Sequence, residues 1–142
     1  MKTIMIVALA FTYGALRIKN GKNEFAKSIE VAMLQGNIPQ DMKSSSRLYA
    51  DDILGIYLKM QREAKANGAK LVIWPESAYP RMLSENIMDL GLTDEEQVAS
   101  IIGVTVYGGD KSFHAHNSAL LVNNDGRVVR RYDKTHLVPF GE

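Results

Sequence analysis

Three ionisable side chains stand where this sequence could do chemistry: Glu76, Lys134 and Glu142. Glu76 follows Trp74-Pro75 at the end of the apolar run from Ala69 to Trp74. The carboxyl end of a central strand is where layered α/β sheets carry ligands and catalytic groups. A carboxylate beside a tryptophan, partly out of water, is expected to have a raised pKa and to suit a general base. Taken alone, a strand-end glutamate is more often simply solvated. Lys134 lies in Tyr132-Asp133-Lys134-Thr135-His136 and could steady a developing oxyanion, although most lysines in such positions only face solvent. Glu142 follows Pro139-Phe140-Gly141; the glycine allows a tight turn that aims the next side chain, but the final residue of a chain is equally a frayed end.

The remaining candidates are weaker. His114 and His116 have a spacing that metal sites use, but no third ligand accompanies them and a polar loop is the plainer reading. His136 reads as a structural hydrogen-bonding residue. Gly108-Gly109 is followed by no Gly-Lys-Ser/Thr and makes no phosphate loop. The sequence has no cysteine, which excludes disulfides, a Cys-ligated metal and a cysteine nucleophile within these residues.

The elements that must position these groups follow from periodicity. Residues 29–34 read as a strand that Gly36 and Pro39 end, and Asp41–Ser46 as a polar loop. Tyr49, Ile53, Ile56, Tyr57, Met60 and Ala64 recur at helical steps within 47–67, and Asn67-Gly68 is a helix stop. The run 69–74 reads as a strand buried on both faces. Pro80–Gly91 reads as irregular or weakly helical. Thr93 with Glu96 three residues on could cap a helix. Residues 101–107 form a further strand, and 117–122 and 127–132 flank Asn123-Asn124-Asp125-Gly126, a hairpin signal. The order predicts an α/β layered domain with a mixed sheet and helices on one face. The segment 135–142 provides no closing element, so the sheet is expected to be incomplete, with open edges and an uncovered apolar face that favour association.

The 142 residues suffice for one domain, and 46% hydrophobic with 23% charged residues is ordinary globular composition. A net charge of +1 gives no nucleic-acid footprint. The N-terminus departs from the average. One charge, Lys2, precedes an apolar run from Ile4 to Leu16, with Arg17, Lys19 and Lys22 after it. Three readings compete: a signal-peptide core, the trailing part of a membrane helix, or a buried core element. A spanning helix needs about 20 apolar residues, and the basic flank is awkward for export. Residues 18–27 read as a linker, which divides the chain into an apolar segment, 1–22, and a domain, 23–142.

Three segments taken together carry a resemblance. They are Val31-Ala32-Met33-Leu34-Gln35-Gly36-Asn37-Ile38-Pro39-Gln40, then Trp74-Pro75-Glu76-Ser77-Ala78, then Tyr132-Asp133-Lys134-Thr135-His136-Leu137-Val138-Pro139-Phe140-Gly141-Glu142. Their order and spacing resemble the nitrilase, or carbon–nitrogen hydrolase, superfamily, and the first and third resemble its apolipoprotein N-acyltransferase branch. The resemblance implies the N-terminal part of a nitrilase-like αββα sandwich, preceded by the remnant of a membrane helix over 3–16. It implies a Glu-Lys-Cys triad in which Glu76 is the general base, Lys134 holds the oxyanion and Glu142 supports catalysis. The implied acyl donor is a membrane phospholipid, the acceptor is the amine of an N-terminal lipidated cysteine on a lipoprotein, and no metal or organic cofactor is implied. The implied location is the bacterial inner membrane, with the domain facing the periplasm. The chain departs from the branch in three ways. The nucleophilic cysteine would lie beyond Glu142. Asp41-Met42-Lys43-Ser44 has no tryptophan where the branch usually has one. His116-Asn117 stands where Tyr-Asn is frequent. A small-amide amidase and a non-catalytic binding domain are the competing readings.

Overall fold

The computed structural model describes residues 2–20, 28–108 and 114–136. The chain forms α1 (Lys2–Asn20), β1 (Val31–Met33), α2 (Gln40–Ser44), α3 (Ala50–Ala66), β2 (Leu71–Ile73), β3 (Met82–Ser84), β4 (Ser100–Gly108), β5 (His114–Val122) and β6 (Val128–Asp133). The strands make one six-stranded sheet in the order β1-β2-β4-β5-β6, with β3 also pairing β4. β1, β2, β3 and β4 run parallel, and β5 and β6 are antiparallel. This is a mixed α/β fold of the class expected.

The core lies on one face of the sheet. Strands alternate sides, so Val72, Ser100, Ile102, Val104, Val106, Leu120 and Val122 point to the same side, and all are buried. α3 covers that side because Ile53, Tyr57 and Gln61 recur every fourth residue and form one buried stripe. Tyr57 stacks on Trp74 with ring centroids 4.9 Å apart. Gln61 is buried yet satisfied. Its Oε1 accepts from Trp74 Nε1 at 2.6 Å and Ser100 Oγ at 3.4 Å, and its Nε2 donates to the Glu96 carbonyl at 2.6 Å. Tyr57 also needs Gly36: a Cβ there would sit 2.7 Å from the tyrosine ring. The opposite face is sparsely covered, with Met33 81% and Tyr132 63% exposed.

β2 and β3 share one edge of β4. β2 pairs with Ser100 and Ile101, β3 with Thr105, Val106 and Tyr107. Between them, residues 74–81 leave the sheet and return to it. Trp74 N donates to the Ile101 carbonyl at 2.8 Å and Tyr79 N to the Gly103 carbonyl at 3.0 Å. This excursion carries Glu76.

Several elements differ from expectation. Residues 41–46 are not wholly loop: α2 begins at Gln40, since Pro39 at φ −57° is set for a helix start and its carbonyl accepts from Lys43 N at 3.1 Å. The span 80–91 holds β3, which β4 recruits by pairing. Thr93 starts a single turn, not a helix. Half of the capping box forms, with Thr93 N donating to Glu96 Oε2 at 3.0 Å. The Glu96 carbonyl, however, is taken by Gln61 and its other carboxylate oxygen by Arg62, so the turn is tied to α3 rather than propagated. His116 lies in β5, not in a loop. α1 extends through 18–20, part of the expected linker, and 21–27 lie outside the described residues. The buried-core reading of the N-terminus fails: Ile4, Leu9, Phe11, Tyr13 and Ile18 of α1 are all exposed. Among the described residues, no helix is long and apolar enough to cross a membrane.

Candidate active site

The site begins with a tight passage. The parallel strand β2 ends at Ile73, and Pro75 starts a turn in which its carbonyl accepts from Ala78 N at 3.3 Å. Ser77 takes φ +49°, a left-handed conformation uncommon for a side-chain-bearing residue. The turn carries the chain across β4 at Gly103. A Cβ on Gly103 would lie 2.0 Å from the Pro75 carbonyl oxygen and 2.8 Å from Glu76 Cα. Only glycine lets the two backbones approach this closely.

The turn also separates Glu76 from Trp74. Trp74 stays on the α3 side, bound to Gln61. The Glu76 carboxylate instead reaches the face of β5 and β6 away from α3. Thr105 pairs with Asn117, and the Lys134 amide donates to the Asn117 carbonyl at 2.8 Å, so Asn117 and Lys134 are backbone neighbours. Asn117 Nδ2 donates to Glu76 Oε1 at 2.5 Å, and Lys134 Nζ donates to the same oxygen at 3.0 Å. Residues 76, 117 and 134 are thus assembled from the end of β2, the middle of β5 and the segment after β6.

The electrostatics overturn one expectation. Glu76 does not have a raised pKa. The hydrogen bond from Lys134, the positive charge of Lys134 and the hydrogen bond from Asn117 hold the carboxyl below the usual carboxylate range, and burial opposes them only weakly. The side chain is 61% exposed and does not lie against the tryptophan, so the desolvation that would raise the value is slight. Lys134 is 28% exposed. By contrast, burial pushes the Tyr57 phenol up, partly offset by its backbone hydrogen bond with Gly36.

Beside Glu76 opens a cavity of about 330 Å³. Ile38, Ile53, Tyr57, Ala78 and Met82 line it, with Lys43 of α2 at its wall. An anionic carboxylate, a cation and an adjacent apolar cavity suit proton transfer and charge stabilisation on a partly apolar substrate.

The other candidates are not brought to this site. Glu142 lies outside the described residues. His136 makes no side-chain hydrogen bond among the described residues, against its structural reading. Among the described residues no group of three His, Asp or Glu could hold a metal ion. Asn117 and Gly103 were missed as site residues by sequence reasoning. Each carried a signal: a polar amide in the middle of a strand, and a lone glycine inside the apolar run Ile101–Val106.

The carbon–nitrogen hydrolase family model matches residues 30–142. The chain belongs to the carbon–nitrogen hydrolase family. It is 32% identical over 145 residues to an apolipoprotein N-acyltransferase of Geobacter metallireducens, covering 98% of this chain and 27% of that protein. It is 38% identical over 119 residues to one from Ralstonia nicotianae, covering 82% of this chain and 22% of that protein. The chain therefore spans about a quarter of the length of these relatives. Among solved structures it is similar to a carbon–nitrogen hydrolase from Helicobacter pylori, with TM-score 0.48, 22% identity and coverage of 78% of this chain and 40% of that one.

Proposed function

We propose that this carbon–nitrogen hydrolase chain works in acyl transfer of the apolipoprotein N-acyltransferase kind, with Glu76 as general base and Lys134 as oxyanion donor. One observation carries the reading: Glu76 and Lys134, 58 positions apart, meet at 3.0 Å at the end of β2. The relatives named apolipoprotein N-acyltransferase support the reaction class.

The nucleophile is a thiol from outside these 142 residues, which contain no cysteine. Glu76, ionised at neutral pH, takes the thiol proton. The thiolate attacks the ester carbonyl of a phospholipid acyl chain, and Lys134 steadies the negative charge on the carbonyl oxygen. The C–O bond breaks, the lysophospholipid alkoxide takes the proton back from Glu76, and a thioester remains. The amine of a lipidated N-terminal cysteine on a lipoprotein then attacks the thioester, a C–N bond forms as the C–S bond breaks, and the amine proton passes by way of Glu76 to the departing thiolate, which leaves as the thiol. The lowered pKa of Glu76 makes it a weak base while Lys134 is bound to it. When Lys134 turns toward the oxyanion its hold on the carboxylate relaxes, and Glu76 becomes a stronger base as the proton moves. Glu142, by the resemblance, supports this pair. The exposed apolar surface of α1 supports work at a membrane, in our reading the bacterial inner membrane with this domain on the periplasmic side.

The test starts with the encoding DNA past the codon for Glu142. The expected result is an in-frame continuation that supplies a cysteine; the gene product is then incubated with labelled phospholipid and trapped as a hydroxylamine-sensitive thioester. A stop codon, or a product that hydrolyses small amides and never becomes acylated, overturns the proposal.

A further inference from the structure

We propose that Asn117 is the positioning residue for the Glu76 carboxylate: it fixes Oε1 and leaves Oε2 to take the proton. The proposal deepens the function proposed above and rests on it for the proton transfer. The placement rests on geometry alone.

Both donors at the site converge on one oxygen. Asn117 Nδ2 lies 2.5 Å and Lys134 Nζ 3.0 Å from Glu76 Oε1. Among the described residues, no group donates to Oε2. A carboxylate can only accept, so the amide of Asn117 must face it with its NH2 group. The two donors are not equivalent. Lys134 carries a charge that the proposed reaction draws toward the substrate, whereas Asn117 is neutral and has no reason to leave. Asn117 also sits on a firmer base. It is in the middle of the nine-residue β5, paired with Thr105, and its own carbonyl accepts the Lys134 amide at 2.8 Å. The next residue, Ser118, is buried and donates to Asp133 Oδ1 at 2.6 Å. One asparagine therefore sets the carboxylate through its side chain and the lysine through its backbone.

Among the described residues, the charged and titratable groups that line the cavity beside Glu76 are Lys43 from α2, Tyr57 from α3, and Tyr79 and Arg81 from the excursion. Arg81 is paired with Asp51. None of them bonds to Glu76, so the convergence on Oε1 belongs to Asn117 and Lys134.

The test follows the Glu76 carboxyl by carbon NMR in the full chain with labelled glutamate, assigned with Glu76→Gln. Asn117→Leu removes the donor at similar size, and Asn117→Asp replaces it with a like charge at the same shape. The Lys134 amide signal reports whether the β5–β6 pairing survives. The expected titration midpoints rise from wild type to Asn117→Leu and rise further in Asn117→Asp, with the Lys134 amide unmoved. A midpoint unchanged in both variants overturns the proposal. So does an equal rise in the two accompanied by loss of the Lys134 amide, because that is what general loosening of the strand gives. In a thioester-forming gene product, Asn117→Leu is expected to slow acylation by up to about a hundredfold without changing half-saturation by phospholipid. A wild-type product that forms no thioester defeats the acyl-transfer reading and leaves the titration result standing.

Discussion

At the scale of single residues, the Glu76–Lys134 pair gives a pH prediction with a definite sign. The folded pKa of Glu76 lies below its unfolded value. Its contribution to stability is therefore present above the unfolded pKa and is lost as pH falls through the folded one. The Glu76 side chain is largely solvent-exposed, so that contribution is small, at most about 1 kcal/mol after screening. Replacing Lys134 by Met is expected to raise the Glu76 midpoint and to lower stability at neutral pH. Urea titrations of the two proteins should converge once Glu76 is protonated in both; a gap that persists in acid would refute the assignment. The position of Glu76 was legible in the sequence from Trp74-Pro75-Glu76 at a strand end. Its electrostatics were not, because they depend first on Lys134, 58 positions away, then on Asn117, 41 positions away, and on which way the chain turns after Pro75.

At the scale of elements, two predictions concern how α3 and the excursion are held. Gln61→Leu strips partners from Trp74 Nε1, Ser100 Oγ and the Glu96 carbonyl, and the buried indole N–H is left unpaired. The expected loss is about 1–3 kcal/mol, read by chemical denaturation with the fluorescence of Trp74, the sole tryptophan, as probe. Gly103→Ala forces a methyl group into the Pro75 carbonyl. It is expected to cost about 1–3 kcal/mol and also to move the Glu76 titration, since the carboxylate rides on the displaced segment. A fully stable variant with an unaltered Glu76 midpoint would show that the passage is looser than its geometry. Helical and strand periodicity made α3, β2, β4 and the hairpin readable in advance. β3 was not, since a short strand such as Met82–Ser84 has too little periodicity and exists because β4 offers it an edge. The turn at Thr93 was misread for a similar reason: its local capping signal was real, but Gln61 and Arg62 of a distant helix claimed the groups that a helix would have used.

At the scale of the whole molecule, apolar surface is unevenly distributed. One face of the sheet is closed by α3, while Met33, Tyr107, Leu121 and Tyr132 remain exposed on the other, and α1 is exposed along its length. Surface of this kind drives association. The purified chain is expected to sediment as more than a monomer, and deletion of residues 2–20 should reduce this without abolishing it. A sharp melt that does not depend on concentration, from a monodisperse monomer, would count against it. The shared edge of β4 has a further consequence. Eight residues, 74–81, bridge a stretch that 102–104 spans on β4, and both ends are pinned by strand pairing. The number of residues in that segment acts as a ruler. Deleting one would slip β3 by a step and exchange the faces of Met82 and Leu83, so insertions and deletions there should be tolerated far less than at the Asn123–Gly126 hairpin, where length is set by a surface turn alone.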